Sequence, residues 1–532
     1  MAESTRGSFI DWPPERWVLL RKGVQAAALL GFLVLFLWAG RVFYLQPDAG
    51  SSPAGFWVNL PLRLDPLVMI AQLAASRVFL GMSLLFLITL AATLLFGRVW
   101  CGWFCPLGTL LEWTSGKNDP RRGRKISNSW RGGKYILLLT ILGAALLGNL
   151  SLLVLDPLTI LIRTLTTAVM PALDAGFTAL ERLLFRVPVL QGAVGWLDSW
   201  VRPAVFPLQP DSFRSGLLFA LLMAGIVALN ALSPRFWCRY LCPLGGMLGW
   251  ISKFSLVRAR VKGECTLCGQ CLQGCPTGAI QQEDSLEVDA GECIMCMVCP
   301  TACPTAGLQI SAGPPSPHWR AYDPDRRKLV LSLGAAAAGV GILQRDFSSG
   351  QTHPHLIRPP GVLNVDFLQQ CIRCGECSEV CPTNAIQPAA LESGLEGFWT
   401  PILIPRTGYC DYSCNACGQV CPVEAIPPLS LAEKRNQVIG RAYINTNRCI
   451  PWADQQDCIV CEEMCPIPEK AILLQEETVY RPTGERVQVL RPYVVRDRCI
   501  GCGICENKCP VAGEAAIRVY TPPPDCQTLI ST

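Results

Sequence analysis

Cys265-Thr-Leu-Cys268-Gly-Gln-Cys271-Leu-Gln-Gly-Cys275-Pro276 reads Cys-x2-Cys-x2-Cys-x3-Cys-Pro, and Cys293-Ile-Met-Cys296-Met-Val-Cys299-Pro-Thr-Ala-Cys303-Pro304 repeats it. Three closely spaced thiolates wrap one side of an iron–sulfur cube, and the proline turns the chain away. In the two-cluster bacterial ferredoxin pattern the fourth cysteine crosses to the other cluster. One [4Fe–4S] cluster is therefore expected on Cys265, Cys268, Cys271 and Cys303, the other on Cys293, Cys296, Cys299 and Cys275. Zinc sites normally use two separated Cys-x-x-Cys pairs, so the spacing argues against zinc.

Downstream, four more quartets follow: Cys371, Cys374, Cys377 and Cys381; Cys410, Cys414, Cys417 and Cys421; Cys449, Cys458, Cys461 and Cys465; Cys499, Cys502, Cys505 and Cys509. All end in Cys-x2-Cys-x3-Cys-Pro. The second opens with three intervening residues and the third with eight, which enlarges a loop without removing a ligand. Six quartets account for 24 of the 29 cysteines, and Cys526 stands apart. A disulfide scaffold would be short and loop-rich, which this 532-residue chain is not. The three histidines, His318, His353 and His355, leave little for haem ligation, and no Cys-x-x-Cys-His occurs.

Upstream the composition changes. Half of the whole chain is hydrophobic and 16% charged, and uncharged apolar runs occupy 23–40, 78–97, 135–155 and 215–234. Each approaches the roughly 20 residues that cross a hydrocarbon core. Arg and Lys concentrate at the N-terminus (Arg6, Arg16, Arg21, Lys22), in the loop from Arg98 to Lys134, and after the fourth run (Arg235 to Lys262). The positive-inside rule places all three on the cytoplasmic side.

An internal repeat runs through this half. Arg98-Val-Trp-Cys101-Gly-Trp-Phe-Cys105-Pro-Leu-Gly matches Arg235-Phe-Trp-Cys238-Arg-Tyr-Leu-Cys242-Pro-Leu-Gly. Leu64-Asp65-Pro66-Leu67 matches Leu155-Asp156-Pro157-Leu158. Two units of the same orientation imply a pseudo-twofold axis along the membrane normal. It would bring Cys101, Cys105, Cys238 and Cys242 together to hold a seventh [4Fe–4S] cluster, zinc or copper, unless they are separate buried thiols. Asp65 and Asp156 read either as helix caps ahead of proline or as proton acceptors at a quinol site.

Between the cluster regions, Asp325-Arg326-Arg327 precedes a short Ala/Gly-rich apolar run. This resembles a twin-arginine export signal retained as a fifth crossing; a buried hairpin helix is the alternative. The segments 312–317 and 348–360 read as linkers.

With these motifs in place, residues 15–310 resemble the NapH-type membrane subunit of periplasmic nitrate reductase systems. Residues 326–520 resemble the MauM/NapG-type ferredoxin, through the twin arginine, Arg358-Pro-Pro-Gly361, Cys371-Ile-Arg-Cys-Gly-Glu-Cys, Gly408-Tyr-Cys410 and Cys417-Gly-Gln-Val-Cys421-Pro. The resemblance implies pairing of outer motifs with each other and of inner motifs likewise. Cys509 would then complete Cys371/Cys374/Cys377, Cys381 would complete Cys499/Cys502/Cys505, Cys465 would complete Cys410/Cys414/Cys417, and Cys421 would complete Cys449/Cys458/Cys461.

The expected fold is a membrane α-helical bundle of tandem two-helix repeats plus α+β bacterial ferredoxin-like [4Fe–4S] domains. The expected divisions are a transmembrane domain over 1–255, a two-cluster ferredoxin domain over 256–312, a linker with the fifth segment over 313–360, and a four-cluster domain over 361–532. The expected function is electron transfer in a respiratory chain. A quinol dehydrogenase subunit in the bacterial cytoplasmic membrane would relay single electrons from the quinone pool to periplasmic cytochrome or reductase subunits of a larger redox complex. The N-terminus and two-cluster domain would be cytoplasmic and the four-cluster domain periplasmic, with no nucleic acid involved. The competing reading is a Cys-x3-Cys-Pro metal reductase or a maturation factor for another metalloenzyme.

Overall fold

The computed structural model describes residues 13–45, 54–79, 84–115, 128–206, 211–261, 265–282, 286–305, 307–313, parts of 330–341, 356–362, 364–480 and 484–521. The chain divides into two compact units. One comprises Met1–Phe36, Leu60–Leu161 and Ala220–Gly341, the other Leu37–Asn59, Ile162–Phe219 and Ile342–Thr532.

In the first unit the helical core is organised around Pro66–Ser76, in which Leu67, Val68, Met69 and Ala71 are buried. The helix begins where it does for a local reason. Asp65, extended at the N-cap, accepts from the amides of Leu67 and Val68, and Pro66 needs no donor there. It ends at Arg77, left-handed at φ 55°, whose N–H returns to the Leu73 carbonyl. Phe86–Phe96, Gly132–Leu146 and Pro243–Ser252 pack around it.

The same unit carries a small α+β module. Val257–Val261 pairs antiparallel with Leu308–Ala312, Val257 opposite Ala312, and Ile280–Gln282 pairs with Leu286–Val288. The short helices Gln270–Gly274 and Val298–Ala302 lie against each other. Ala259, Cys271, Ile280, Leu286 and Leu308 form its core. This is a ferredoxin-like arrangement, one cysteine triplet leading into each short helix.

The second unit contains the other four quartets on a doubled version of that plan. Its ladders join Ile386–Pro388 to Pro401–Leu403, Arg441–Ile444 to Ile517–Tyr520, and Ile472–Tyr480 to Arg486–Val494. Ile386, Leu403, Ala442, Ile472, Ile517 and Val519 form a core that also takes in Cys499 and Cys505.

The apolar runs behave differently from four uniform spans. Among the described residues two helices are long and apolar enough to cross a membrane, Pro14–Val42 and Pro157–Leu184. Only the first lies on an expected run. Pro157–Leu184 was illegible as a run because Arg163, Asp174, Glu181 and Arg182 punctuate it. The run 135–155 gives Gly132–Leu146, then breaks at Gly148, where φ is 82°, before a 3-10 turn over Ser151–Leu155. The run 215–234 gives Gly216–Ala228 and another 3-10 turn. The run 78–97 gives Phe86–Phe96 among the described residues. At 1.5 Å per residue, 15 residues cover only about 22 Å. The described residues of 330–341 are helical, whereas the twin arginine, the three histidines and Cys526 lie outside the described residues.

Candidate functional site

The regular cysteine triplets share a backbone device. The residue before the second cysteine and the residue after it are both left-handed: Leu267 and Gly269 (φ 51° and 74°), Met295 and Met297 (53° and 61°), Arg373 and Gly375 (58° and 94°), Gly501 and Gly503 (78° and 81°). Such residues reverse the direction of successive amides and form concavities that suit an anion, here sulfide and thiolate. Four of these eight positions are not held by the residue that adopts the conformation freely, so surrounding structure must fix the loop. The two irregular triplets, with their longer openings, lack the pair: Asn415 and Ile459 have φ of −130° and −110°.

Cys265, Cys268, Cys271 and Cys303 line one cavity of about 350 Å³. Cys275 lies within electrostatic range of Cys293, Cys296 and Cys299. The crossed sets of the first two motifs are therefore brought together. In the second unit the crossing is between neighbouring motifs, and the outer-with-outer pairing is overturned. Cys421, not Cys509, shares a cavity of about 560 Å³ with Cys371, Cys374 and Cys377. Cys381, not Cys465, lies beside Cys410, Cys414 and Cys417. Cys509, not Cys421, closes the cavity of about 360 Å³ formed by Cys449, Cys458 and Cys461. Cys465 faces Cys502. The physical reason is chain length. Motifs consecutive in sequence exchange their fourth cysteines, the first with the second and the third with the fourth, so each pair closes its own module.

Packed together, these thiols resist ionisation. Burial, with Cys296 and Cys275 beside it, pushes the Cys293 thiol up to about 12. Burial, with Cys449 and Cys458 beside it, does the same for Cys461. A bound cationic core removes that conflict. Among the described residues no three His, Cys, Asp or Glu side chains converge as a single-ion site requires. Three of the quartets frame cavities instead, which fits a multi-iron cube better than zinc or copper.

Backbone contacts join the modules of the second unit. The Cys410 N–H donates to the Cys502 carbonyl at 2.8 Å, and Arg406 Nη1 donates to the Cys509 and Glu506 carbonyls. Cys421 lies near Cys374, and Cys417 near Cys377. The order through space is thus the Cys371, Cys410, Cys499 and Cys449 triplets.

The repeat of the first unit is visible in its backbone. Trp100–Phe104 and Trp237–Leu241 are both π-helical turns, closed by Cys105 N–H to Trp100 and Cys242 N–H to Trp237. Cys105 and Cys242 then cap the following helices, accepting from Gly108 and Gly245 at 3.4 and 3.3 Å. All four cysteines come within electrostatic range of one another. Around them stand buried cations, Arg98 and Arg235. Arg235 also pairs with Glu112, which Arg21 grips at 2.7 Å.

This site abuts the loop of the second triplet. Arg98 donates to the Gly291 carbonyl at 2.9 Å, Trp103 Nε1 to the Met295 carbonyl at 3.0 Å, and Lys134 meets Glu292 at 2.6 Å. A Cβ on Gly102 would stand 2.0 Å from the Ile294 carbonyl. Sequence reasoning missed Arg98, Trp103, Lys134 and Glu292 as members of the site; the chemistry of each is visible in sequence, but their meeting is not.

Asp65 and Asp156 are caps, Asp156 accepting from Leu158 and Thr159. They also lie within electrostatic range of each other, and the oxygens not used for capping are buried with no hydrogen-bond partner among the described residues.

Two 4Fe–4S binding domain families match this chain, one over residues 78–128 and 215–262, the other over 260–281, 368–387 and 492–512. The first spans both Cys-x3-Cys-Pro motifs. The methylamine utilization ferredoxin-type protein MauM of Methylorubrum extorquens is 35% identical over 205 residues, 37% of this chain and 89% of that protein. The chain belongs to the MauM/NapG family of ferredoxin-type proteins. The NapG of Haemophilus influenzae is 33% identical over 208 residues, covering 37% of this chain and 72% of its own. The MauN of Paracoccus denitrificans is 27% identical over 268 residues, 49% and 76% respectively. No solved structure matches. This MauM/NapG-type chain is thus an iron–sulfur electron-transfer protein.

Proposed function

We propose that this MauM/NapG-type chain oxidises membrane quinol and relays single electrons through six [4Fe–4S] sites, with a seventh on Cys101, Cys105, Cys238 and Cys242. The carrying observation is the continuity from those four cysteines, through Arg98, Trp103, Lys134 and Glu292, to the Cys293–Cys296 loop. A 4Fe–4S cluster, when bound, accepts and releases one electron at a time. Arg98 and Arg235 offset the negative charge of four thiolates, and the buried Trp237 indole excludes water. Asp65 and Asp156 each keep one buried oxygen free of the cap, and two such neighbouring carboxyls suit proton uptake from a quinol hydroxyl.

Membrane association is supported by Pro14–Val42, which exposes Leu30 and Val34, and by the apolar surfaces of Phe86–Phe96 and Gly216–Ala228. The basic loops share a unit with the two-cluster module, which argues for a cytoplasmic position, and the four-cluster region then belongs outside. Its acceptor is a partner within a larger redox complex.

The test is rapid mixing of the anaerobically purified protein with a quinol analogue, with iron analysis. We expect reduction of the clusters and about 28 iron atoms per chain, falling to about 24 in Cys101→Ala/Cys238→Ala with reduction slowed. Full iron content and an unchanged rate in that variant would make these cysteines structural and the route wrong.

A further inference from the structure

Arg163 lies on the apolar helix Pro157–Leu184, a costly place for a guanidinium. It is 2% exposed. Its guanidinium carbon sits 5.2 Å from the ring centre of Trp399 and 5.3 Å from that of Phe219. The two rings are themselves in contact at 5.1 Å. Among the described residues no carboxylate pairs with it, and its Nη2 is buried without a hydrogen-bond partner. A cation so placed is held for something not supplied by the protein alone.

What it faces is the Cys371 cavity. Arg163 lines that cavity with Cys371, Cys374, Cys377 and Cys421, and the first three, as thiolates, are the opposite charges in range of it. A Cβ on Gly375, next to Cys374, would meet the Arg163 Cα at 3.8 Å. Arg373 lines the same cavity and donates to the Cys371 carbonyl, so two guanidinium groups stand against the single carboxyl of Glu376. The cavity closed by Cys449 and Cys509 differs. Its lining is apolar apart from the cysteines, with no charged side chain.

We propose that Arg163 sets the redox potential of the cluster on Cys371, Cys374, Cys377 and Cys421, holding it above the value that cluster would have without this cation. Reduction adds one negative charge, and a desolvated cation at the cavity wall stabilises that state more than the oxidised one. The free Nη2 supplies a hydrogen bond to sulfur, which acts in the same direction. The Cys371 site also ends the spatial order of the four triplets, so the residue would fix one terminus of the relay energetically. The inference rests on the cluster reading above but not on quinol as donor.

The test is redox-titrated EPR on the full-length protein, with the signal assigned by its loss in Cys374→Ala. We expect Arg163→Gln to shift the reduced-to-oxidised ratio at the native midpoint at least tenfold toward oxidised, about 59 mV for a one-electron couple. The other signals and the iron content should not move, and Arg163→Lys should recover most of the shift. An unmoved midpoint in Arg163→Gln with iron intact overturns the proposal. So does loss of about four iron atoms in both variants, which would make Arg163 a structural residue. Because the electrons come from a chemical mediator, failure of quinol oxidation leaves this result readable.

Discussion

At Glu292 one carboxylate joins two cations drawn from distant parts of the sequence, Lys134 at 2.6 Å and Arg98 at 3.4 Å. All three side chains are essentially buried. Burial alone would push the Glu292 carboxyl up, but Lys134 and Arg98 outweigh it and hold it below the usual range. A carboxyl depressed in the folded state contributes stability above its unfolded value near 4.3, and loses it as pH falls through the folded value. Glu292→Gln should therefore cost about 3–5 kcal/mol at pH 7 by leaving buried cations unpaired. Glu292→Gln/Lys134→Met should recover part of that, measured by thermal unfolding in detergent. The aspartates allow a separation of roles at the same scale. Asn caps a helix as well as Asp does, whereas Ala does not. Asp65→Asn should keep stability and slow quinol-driven reduction. Asp65→Ala should additionally lose about 1 kcal/mol. Equal reduction rates in native and Asn proteins would leave the pair as caps alone.

Among the elements, the cysteine loops and π turns are where local sequence and tertiary placement meet. Gly503 has φ 81°, and a Cβ there would come within 2.8 Å of Pro405. Gly503→Ala is expected to cost about 1–2 kcal/mol from the backbone alone, with the clash added. Chelator-driven iron release should then be faster from the Cys499 site than from the others. Site-resolved EPR during chelation checks this; uniform release would show that the left-handed pair does not hold the loop. The triplet spacing itself was legible because thiol ligands must approach one cube within a few residues. The π turns were not. Cys-x3-Cys reads as one helical face, and only the fold shows the extra residue per turn at Trp100–Phe104 and Trp237–Leu241.

For the whole molecule, the positive-inside reading and the export-like twin arginine lead to a topological expectation. Residues beyond 346 should lie outside the cytoplasmic membrane, so a C-terminal reporter active only in the cytoplasm should be silent in intact cells. An active reporter would return the four-cluster region to the cytoplasm. The sequence by itself determined the chemistry. Ligand spacing is a short-range covalent constraint, so the six quartets, the repeated Cys-x3-Cys-Pro and the two capping aspartates could be read in a single pass. Tertiary structure decided which fourth cysteine serves which triplet, bringing Cys421 rather than Cys509 to Cys371. It also interrupted two apolar runs at glycine and 3-10 turns, and formed a long helix through charges that disguised it. It set Arg163 against a distant cluster cavity and Glu292 between Lys134 and Arg98. Those meetings depend on packing between segments more than a hundred residues apart, and no local spacing rule encodes them.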